Sequence, residues 1–180
     1  YALWALAQLV HARGRQDVAL VLMGDGSHLP VLRALSHDLN LDDYVHFTGW
    51  VDHAVMTSYL AQADVGLVPD PQNGLNECST LVKTMDYMAM GVPVVAFDLG
   101  ETHYTAQEAA LYAVPNEVDD FAAKIEQLLD DAELRKQMGA RGIARIESTL
   151  NWERSKEQLL GAYQRLAGEP ASVPAPLMRA

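Results

Sequence analysis

Four short apolar runs constrain this chain more than any other feature. Residues 18–23, 94–97 and 111–114 are continuously hydrophobic rather than alternating, 65–68 is broken only by Gly66, and each has the length of a strand. Unbroken runs of this kind suit strands buried on both faces, as in a parallel sheet covered by helices. Between them the apolar residues recur at helical spacing, first Leu29, Leu32, Leu35 and Leu39, then Val55, Met56, Tyr59 and Leu60. A short strand over residues 44–47 and a helix over about 79–90, stopped by Gly91-Val92-Pro93, complete the alternation. The pattern predicts an α/β fold, a Rossmann-like parallel sheet flanked by helices.

The two ends read differently. Residues 1 to about 13 are helical in pattern, open without Met, and have no capping residue ahead of Tyr1-Ala2-Leu3-Trp4. That start predicts a chain that begins inside a longer protein. Beyond residue 114 the chain turns helical. Phe121, Ile125, Leu128 and Leu129 mark one apolar face, Leu159, Leu160, Tyr163 and Leu166 another, with Gly139 and Gly142 interrupting the helix between. The expected organisation is one domain over 1–166 with a helical C-terminal extension. Residues 167–180, with Pro170, Pro174 and Pro176, are expected to form a disordered Pro-rich tail.

Charge removes whole classes of partner. Thirteen Lys and Arg against 24 Asp and Glu give a net charge of −11, the wrong sign for a surface that grips a nucleic-acid backbone. One cysteine excludes an intrachain disulfide framework and fits a reducing, cytoplasmic compartment. Six histidines without HxH or HxxxH spacing suggest no metal. The acid is concentrated: residues 16–131 hold nineteen carboxylates and three basic residues, Arg33, Lys83 and Lys124. Cys78 is expected to be a small buried residue.

In open parallel sheets ligands bind beyond the carboxyl ends of the strands. Three segments there carry chemistry. Gly24-Asp25-Gly26 follows the first strand and leads to a helix, so backbone N–H groups could approach an anion, or the segment is a plain tight turn. Leu29 stands where a dinucleotide fingerprint needs a third glycine, which argues against NAD. Thr48-Gly49-Trp50 closes the next strand, and Trp50 either stacks on a base or packs. The third is the helix after Asn76. At 100° per residue Ser79, Lys83 and Asp86 share one face, while Leu81, Val82, Met85, Met88 and Ala89 fill an apolar arc toward the sheet. Backbone N–H groups of Thr80 and Leu81 with Lys83 could take a pyrophosphate, and Asp86 two ribose hydroxyls. The alternative is a solvated Lys83–Asp86 pair at i, i+3.

The ordered set Met23-Gly24-Asp25-Gly26, Val45-His46-Phe47-Thr48-Gly49, Ala63-Asp64-Val65-Gly66-Leu67-Val68-Pro69 and Met88-Ala89-Met90-Gly91-Val92-Pro93-Val94 resembles the donor-binding domain of GT-B glycosyltransferases. More narrowly it is similar to the retaining family-4, group-1 type, in a subgroup from bacterial surface-polysaccharide gene clusters. The resemblance covers the chain to about residue 166 and implies one half of a GT-B fold. It implies transfer of a sugar from a nucleotide donor, usually a UDP-sugar, to a polysaccharide or lipid-linked acceptor, with no metal or other cofactor. Registered on the family's paired acids, the second falls on Asp86, implied to bind ribose. The first falls on Cys78, with Glu77 one position early as the candidate catalytic acid near the sugar. Glu101, in a loop over residues 100–105, is implied to lie near the sugar too, and His103 to be a surface loop residue. The phosphate-clamping Arg and Lys, and the acceptor-binding N-terminal domain, belong to segments the resemblance places before Tyr1. Residues 1–180 alone are therefore expected to lack transferase activity. A nucleotide-sugar epimerase or hydrolase, or a non-catalytic nucleotide-sugar-binding subunit, shares the same donor domain. Peripheral contact of the full-length enzyme with the inner face of a membrane stays open.

Overall fold

The computed structural model describes residues 1–168, so the expected tail lies outside the described residues save Ala167 and Gly168. The described residues form two compact units, one from Tyr1 to Ile143 and one from Ala144 onward, with the boundary inside one helix. In the first unit helices and parallel strands alternate, α1 (Ala2–Ala7), β1 (Leu20–Met23), α2 (Leu29–Asp38), β2 (Val45–Gly49), α3 (His53–Leu60), β3 (Gly66–Val68), α4 (Val82–Ala89), β4 (Val94–Phe97), α5 (Gly100–Ala106), β5 (Ala110–Ala113) and α6 (Val118–Asp130), before α7 (Ala132–Ser148) carries the chain across the boundary. The parallel α/β architecture holds. Its ladders fall into two sheets rather than one, β1-β2 and β3-β4-β5.

That division explains burial along the strands. β4 sits between two partners, with Val94 opposite Gly66 and Ala110, and all four of its residues are buried. β1 pairs with β2 alone, and Val21 is exposed. The expectation that residues 18–23 are buried on both faces is thus corrected.

Two apolar cores follow the two sheets. Phe97, Val95, Ala113, Phe121, Ile125, Leu128 and Met138 form one, with the Phe97 and Phe121 rings 4.9 Å apart. Each such buried ring or branched chain contributes about 1.5–3 kcal/mol. Leu3, Leu6, Val10 and Leu41 form the other, against Leu20, Leu22 and Val45. Helix α1 and the π-helical turn after it (Gln8–Ala12) serve both cores, Ala5 and Leu9 facing the first, Leu3, Leu6 and Val10 the second. An apolar pattern on more than one face is what a helix between two cores requires.

Three local readings are corrected. Helix α4 begins at Val82, not near Ser79, because residues 76–78 close a 3-10 turn and Ser79 and Leu81 are extended. Its buried side chains are Thr84 and Met88, whereas Val82 is 63% exposed, so the apolar arc toward the sheet is narrower than its spacing suggested. Residues 100–105 are helical as part of α5. Gly139 and Gly142 do not interrupt α7; they bring it close to the end of α4. A Cβ on Gly139 would lie 2.1 Å from the Gly91 carbonyl oxygen, and one on Gly142 3.2 Å from Met88 Cα.

In the second unit α8 (Trp152–Leu166) is capped by Asn151, whose side chain accepts from the Arg154 N–H at 3.1 Å. Its apolar residues Leu159, Leu160, Tyr163 and Leu166 are exposed. Among the described residues no helix is long and apolar enough to cross a membrane.

Candidate functional site

The carboxyl ends of β3, β4 and β5 lead into a set of polar side chains held by contacts across the chain. After β3, Asn73 Oδ1 accepts from the N–H groups of Leu75 (3.0 Å) and Asn76 (2.9 Å), and Asn76 Nδ2 donates to Pro71 O at 2.7 Å. These bonds fold residues 71–78 into a turn that aims Glu77. The Glu77 carboxylate accepts from Gln72 Nε2 at 2.7 Å and from the Gly100 N–H at 3.3 Å. Gly100 opens α5, so Glu77 spans the loops after β3 and β4. Next to it Thr80 Oγ1 donates to Glu101 Oε2 at 3.2 Å, while Ser79 Oγ donates to Leu75 O at 2.7 Å. Glu77, Thr80 and Glu101 are thereby brought together, and the Ser79 hydroxyl is turned back into its own turn.

Lys83 is not isolated, and it does not pair with Asp86. Its Nζ lies 2.6 Å from Asp70 Oδ2, with side-chain exposures of 41% and 22%. Asp70 stands two residues beyond β3, and the reading of the sequence missed it. An acid just past a strand end was the available signal. Asp86 is half-buried on the second turn of α4, and among the described residues its carboxylate has neither a hydrogen bond nor an ion pair. Burial first, then the negative charges of Asp70 and Asp86, push the Tyr87 hydroxyl above its ordinary pKa. Tyr87 therefore lies within the field of both carboxylates, its OH directed at Leu67 O (3.5 Å) and its ring against Gly66. A Cβ on Gly66 would stand 2.5 Å from that ring. In the first turn of α4 the Thr84 N–H donates to Leu81 O at 3.0 Å, while those of Val82 and Lys83 have no carbonyl behind them in the helix.

A second group of polar backbone lies at the ends of β1 and β2. The Gly24 N–H donates to Gly49 O at 2.9 Å, which ties Gly24-Asp25-Gly26 to Thr48-Gly49-Trp50. Gly24 (φ +141°) and Gly49 (φ +70°) adopt conformations that other residues rarely take, with open space where a Cβ would point. Thr48 Oγ1 donates to Gly49 O, and Trp50 is 75% exposed, so it does not pack in the core. Cys78 is exposed as well, against expectation, because its 3-10 turn lies on the surface.

The chain matches the family model described as glycosyl transferases group 1 over residues 1–131. It is 31% identical over 163 residues to a GDP-mannose-dependent monoacylated alpha-(1-6)-phosphatidylinositol monomannoside mannosyltransferase of Corynebacterium glutamicum, covering 89% of this chain and 42% of that protein. It superposes on sucrose-phosphate synthase from Thermosynechococcus elongatus with TM-score 0.79 and 25% identity, over 93% of this chain and 41% of that one. Anabaena Alr3699/HepE, solved with UDP and glucose, shares the fold with TM-score 0.76 and 18% identity, over 91% and 43% of the two chains. The chain thus spans about two fifths of the curated relative it matches.

Proposed function

This chain belongs to the group 1 glycosyl transferases, and we propose that it is the donor-binding part of an enzyme that moves a sugar from a nucleoside-diphosphate sugar, with retention, to a polysaccharide or lipid-linked acceptor. The observation that carries the assignment to this edge of the sheet is Asp86. Asp86 is partly buried, and among the described residues no group donates to its carboxylate, which is therefore left to accept from a ligand. A ribose diol supplies two donors to one carboxylate.

The remaining roles follow from what each group can do. Lys83 and the N–H groups at the start of α4 meet the diphosphate, whose developing charge as the sugar departs is the main thing to stabilise. Thr80 and Leu81 lie in the extended segment leading into that helix. Glu77, held between Gln72 and Gly100, faces the sugar as a fixed acceptor rather than a free acid, with Glu101 beside it. Gly24, Asp25, Gly26, Thr48, Gly49 and Trp50 offer backbone and an exposed ring to the base. The relative's GDP-mannose and the UDP of Alr3699/HepE share the nucleoside diphosphate as their common chemistry.

Titration of the full-length protein with GDP-mannose and with UDP-sugars tests this reading and identifies the base. The Asp86→Ala variant is expected to lose donor affinity by about 10-fold or more, the equivalent of one or two hydrogen bonds to a charged group. Unchanged affinity would remove Asp86 from the site.

A further inference from the structure

One hydrogen bond joins the candidate site to a loop that the roles above do not use. The loop after β5 is a tight turn: the Glu117 N–H donates to Val114 O at 3.1 Å, and the Val114 N–H donates to Asp120 Oδ2 on α6 at 2.7 Å. Pro115 and Asn116 are its central pair, with Asn116 at φ +66°. Proline followed by a left-handed residue is the arrangement of a type II turn, in which glycine or asparagine serves at the second place. Asparagine adds a side chain that glycine lacks. Its Oδ1 accepts from the Gln72 N–H at 2.9 Å, across 44 residues of sequence.

From Gln72 the series continues into the site. Its Nε2 donates to Glu77 Oε1 at 2.7 Å, and Glu77 Oε2 accepts from the Gly100 N–H at 3.3 Å. The loops after β3, β4 and β5 are thus joined in one line of bonds, from Asn116 through Gln72 and Glu77 to Gly100. Gln72 and Asn116 are both exposed, so water could satisfy them and burial does not demand the bond between them. What the series does fix is a direction. A carboxylate oxygen accepts about two hydrogen bonds, and each oxygen of Glu77 is engaged once. The acceptor site left on each then points where Gln72 and Gly100 set it.

We propose that Gln72 and Asn116 are positioning residues for the donor sugar. Asn116 holds the Gln72 backbone, and Gln72 holds the Glu77 carboxylate so that its remaining acceptor sites meet the hydroxyl groups of the sugar. Both act through Glu77. This inference rests on the donor-site reading above, in which Glu77 faces the sugar and Asp86 the ribose. The series therefore bears on the sugar and leaves the nucleotide contacts alone. The property it controls is discrimination between a nucleotide sugar and the parent nucleoside diphosphate.

The test is titration of the full-length protein with two pairs of probes, GDP-mannose against GDP and UDP-glucose against UDP. The ratio of affinities within a pair reads the sugar contacts, and binding of the nucleoside diphosphate alone shows that a variant is folded. Glu77→Ala should lower the ratio by about 10-fold, the loss of a hydrogen bond to a charged group. Gln72→Met keeps the length of the side chain and removes the donor; Asn116→Gly keeps the left-handed backbone and removes the acceptor. Each should lower the ratio several-fold with little change in nucleoside diphosphate affinity. Asn116→Asp retains an Oδ1 acceptor and should keep the parent ratio. In a Glu77→Ala background Gln72→Met and Asn116→Gly should have no further effect, because all three changes remove the same interaction. An unchanged ratio in Gln72→Met or Asn116→Gly while Glu77→Ala lowers it, equal losses for nucleotide sugar and nucleoside diphosphate, or effects that add to that of Glu77→Ala overturn the inference and leave the donor site in place. A ratio indifferent to Glu77→Ala, or binding of none of the four probes, overturns the placing of Glu77 and this inference with it.

Discussion

The close approach of α7 to the end of α4 makes a prediction whose sign depends on space alone. Replacing Gly by Ala inside a helix favours folding by about 1 kcal/mol where nothing is in the way. At Gly139 the new methyl group would stand 2.1 Å from the Gly91 carbonyl oxygen and 3.0 Å from its carbon. Gly91 cannot retreat cheaply, since its φ is +70° and its N–H donates to Met88 O at 3.0 Å in the closing turn of α4. Relief therefore requires α7 to move by about 1 Å, and overpacking of this kind costs about 3 kcal/mol at the upper end of its range. Net of the helical gain, Gly139→Ala should be destabilised by about 2 kcal/mol, a fall in Tm of about 4–8 °C for a chain of this size. Gly142→Ala meets Met88 at 3.2–3.3 Å, so gain and cost should nearly cancel. Gly161→Ala, in α8 with nothing within 4 Å, should be neutral or stabilised by up to about 1 kcal/mol. Urea unfolding of the three variants should rank Gly161→Ala above Gly142→Ala above Gly139→Ala. A Gly139→Ala protein as stable as the parent would refute the packing argument.

Two further outcomes follow from ion pairs. Asp70→Asn leaves Lys83 without its counter-ion, so donor affinity should tighten several-fold at low ionic strength, and the gain should shrink as salt is added; donor titrations at two salt concentrations measure it. The Asp42 carboxylate, 2.7 Å from His37 Nδ1, raises the imidazole pKa. The folded value lies above the unfolded one, so the pair's contribution is present at pH below the ordinary imidazole range and is lost as pH rises through the raised value; in Asp42→Asn, NMR titration should find the His37 midpoint returned toward that range.

What the sequence shows is the part of the fold settled by local composition. Residues 94–97 are β4 to the residue, because a continuous apolar run between two sheet partners leaves no other arrangement. The same logic overreached at residues 18–23, where a strand with one partner keeps Val21 in solvent. Helix α4 was placed three residues early because Ser79-Thr80-Leu81 reads as a first turn. Asn73 instead turns the preceding backbone into a 3-10 turn and leaves an extended entry. Gly139 and Gly142 look like breakers by propensity. Their reason is a tertiary approach of two backbones, which no local pattern encodes. The candidate site's geometry was legible only where it is local. The place of Asp86 on the helix follows from spacing, whereas Asp70, Gly100 and Glu101, which partner Lys83, Glu77 and Thr80, lie 13 to 23 residues away and emerge only when the strands align.

Those long-range partners also answer how an acid-rich edge can receive a diphosphate. Repulsion depends on charge that is unmatched, not on the count of carboxylates. At the ends of β3 and β4 Asp70 is matched by Lys83, Asp98 holds His103, Glu77 accepts from Gln72 and the first N–H of α5, and Glu101 accepts from Thr80. Each carboxylate except Asp86 thus has a donor or a cation against it. A group that needs two acceptors and carries no charge, such as a ribose diol, is suited to Asp86. The charged diphosphate is suited to the start of α4, where the Lys83 side chain and the N–H groups of Val82 and Lys83 lie about one turn away along the helix. On the proposed reading the acidity would orient a bound nucleotide along α4: reversing it would set phosphate against Asp86 and the diol against groups that are already bonded.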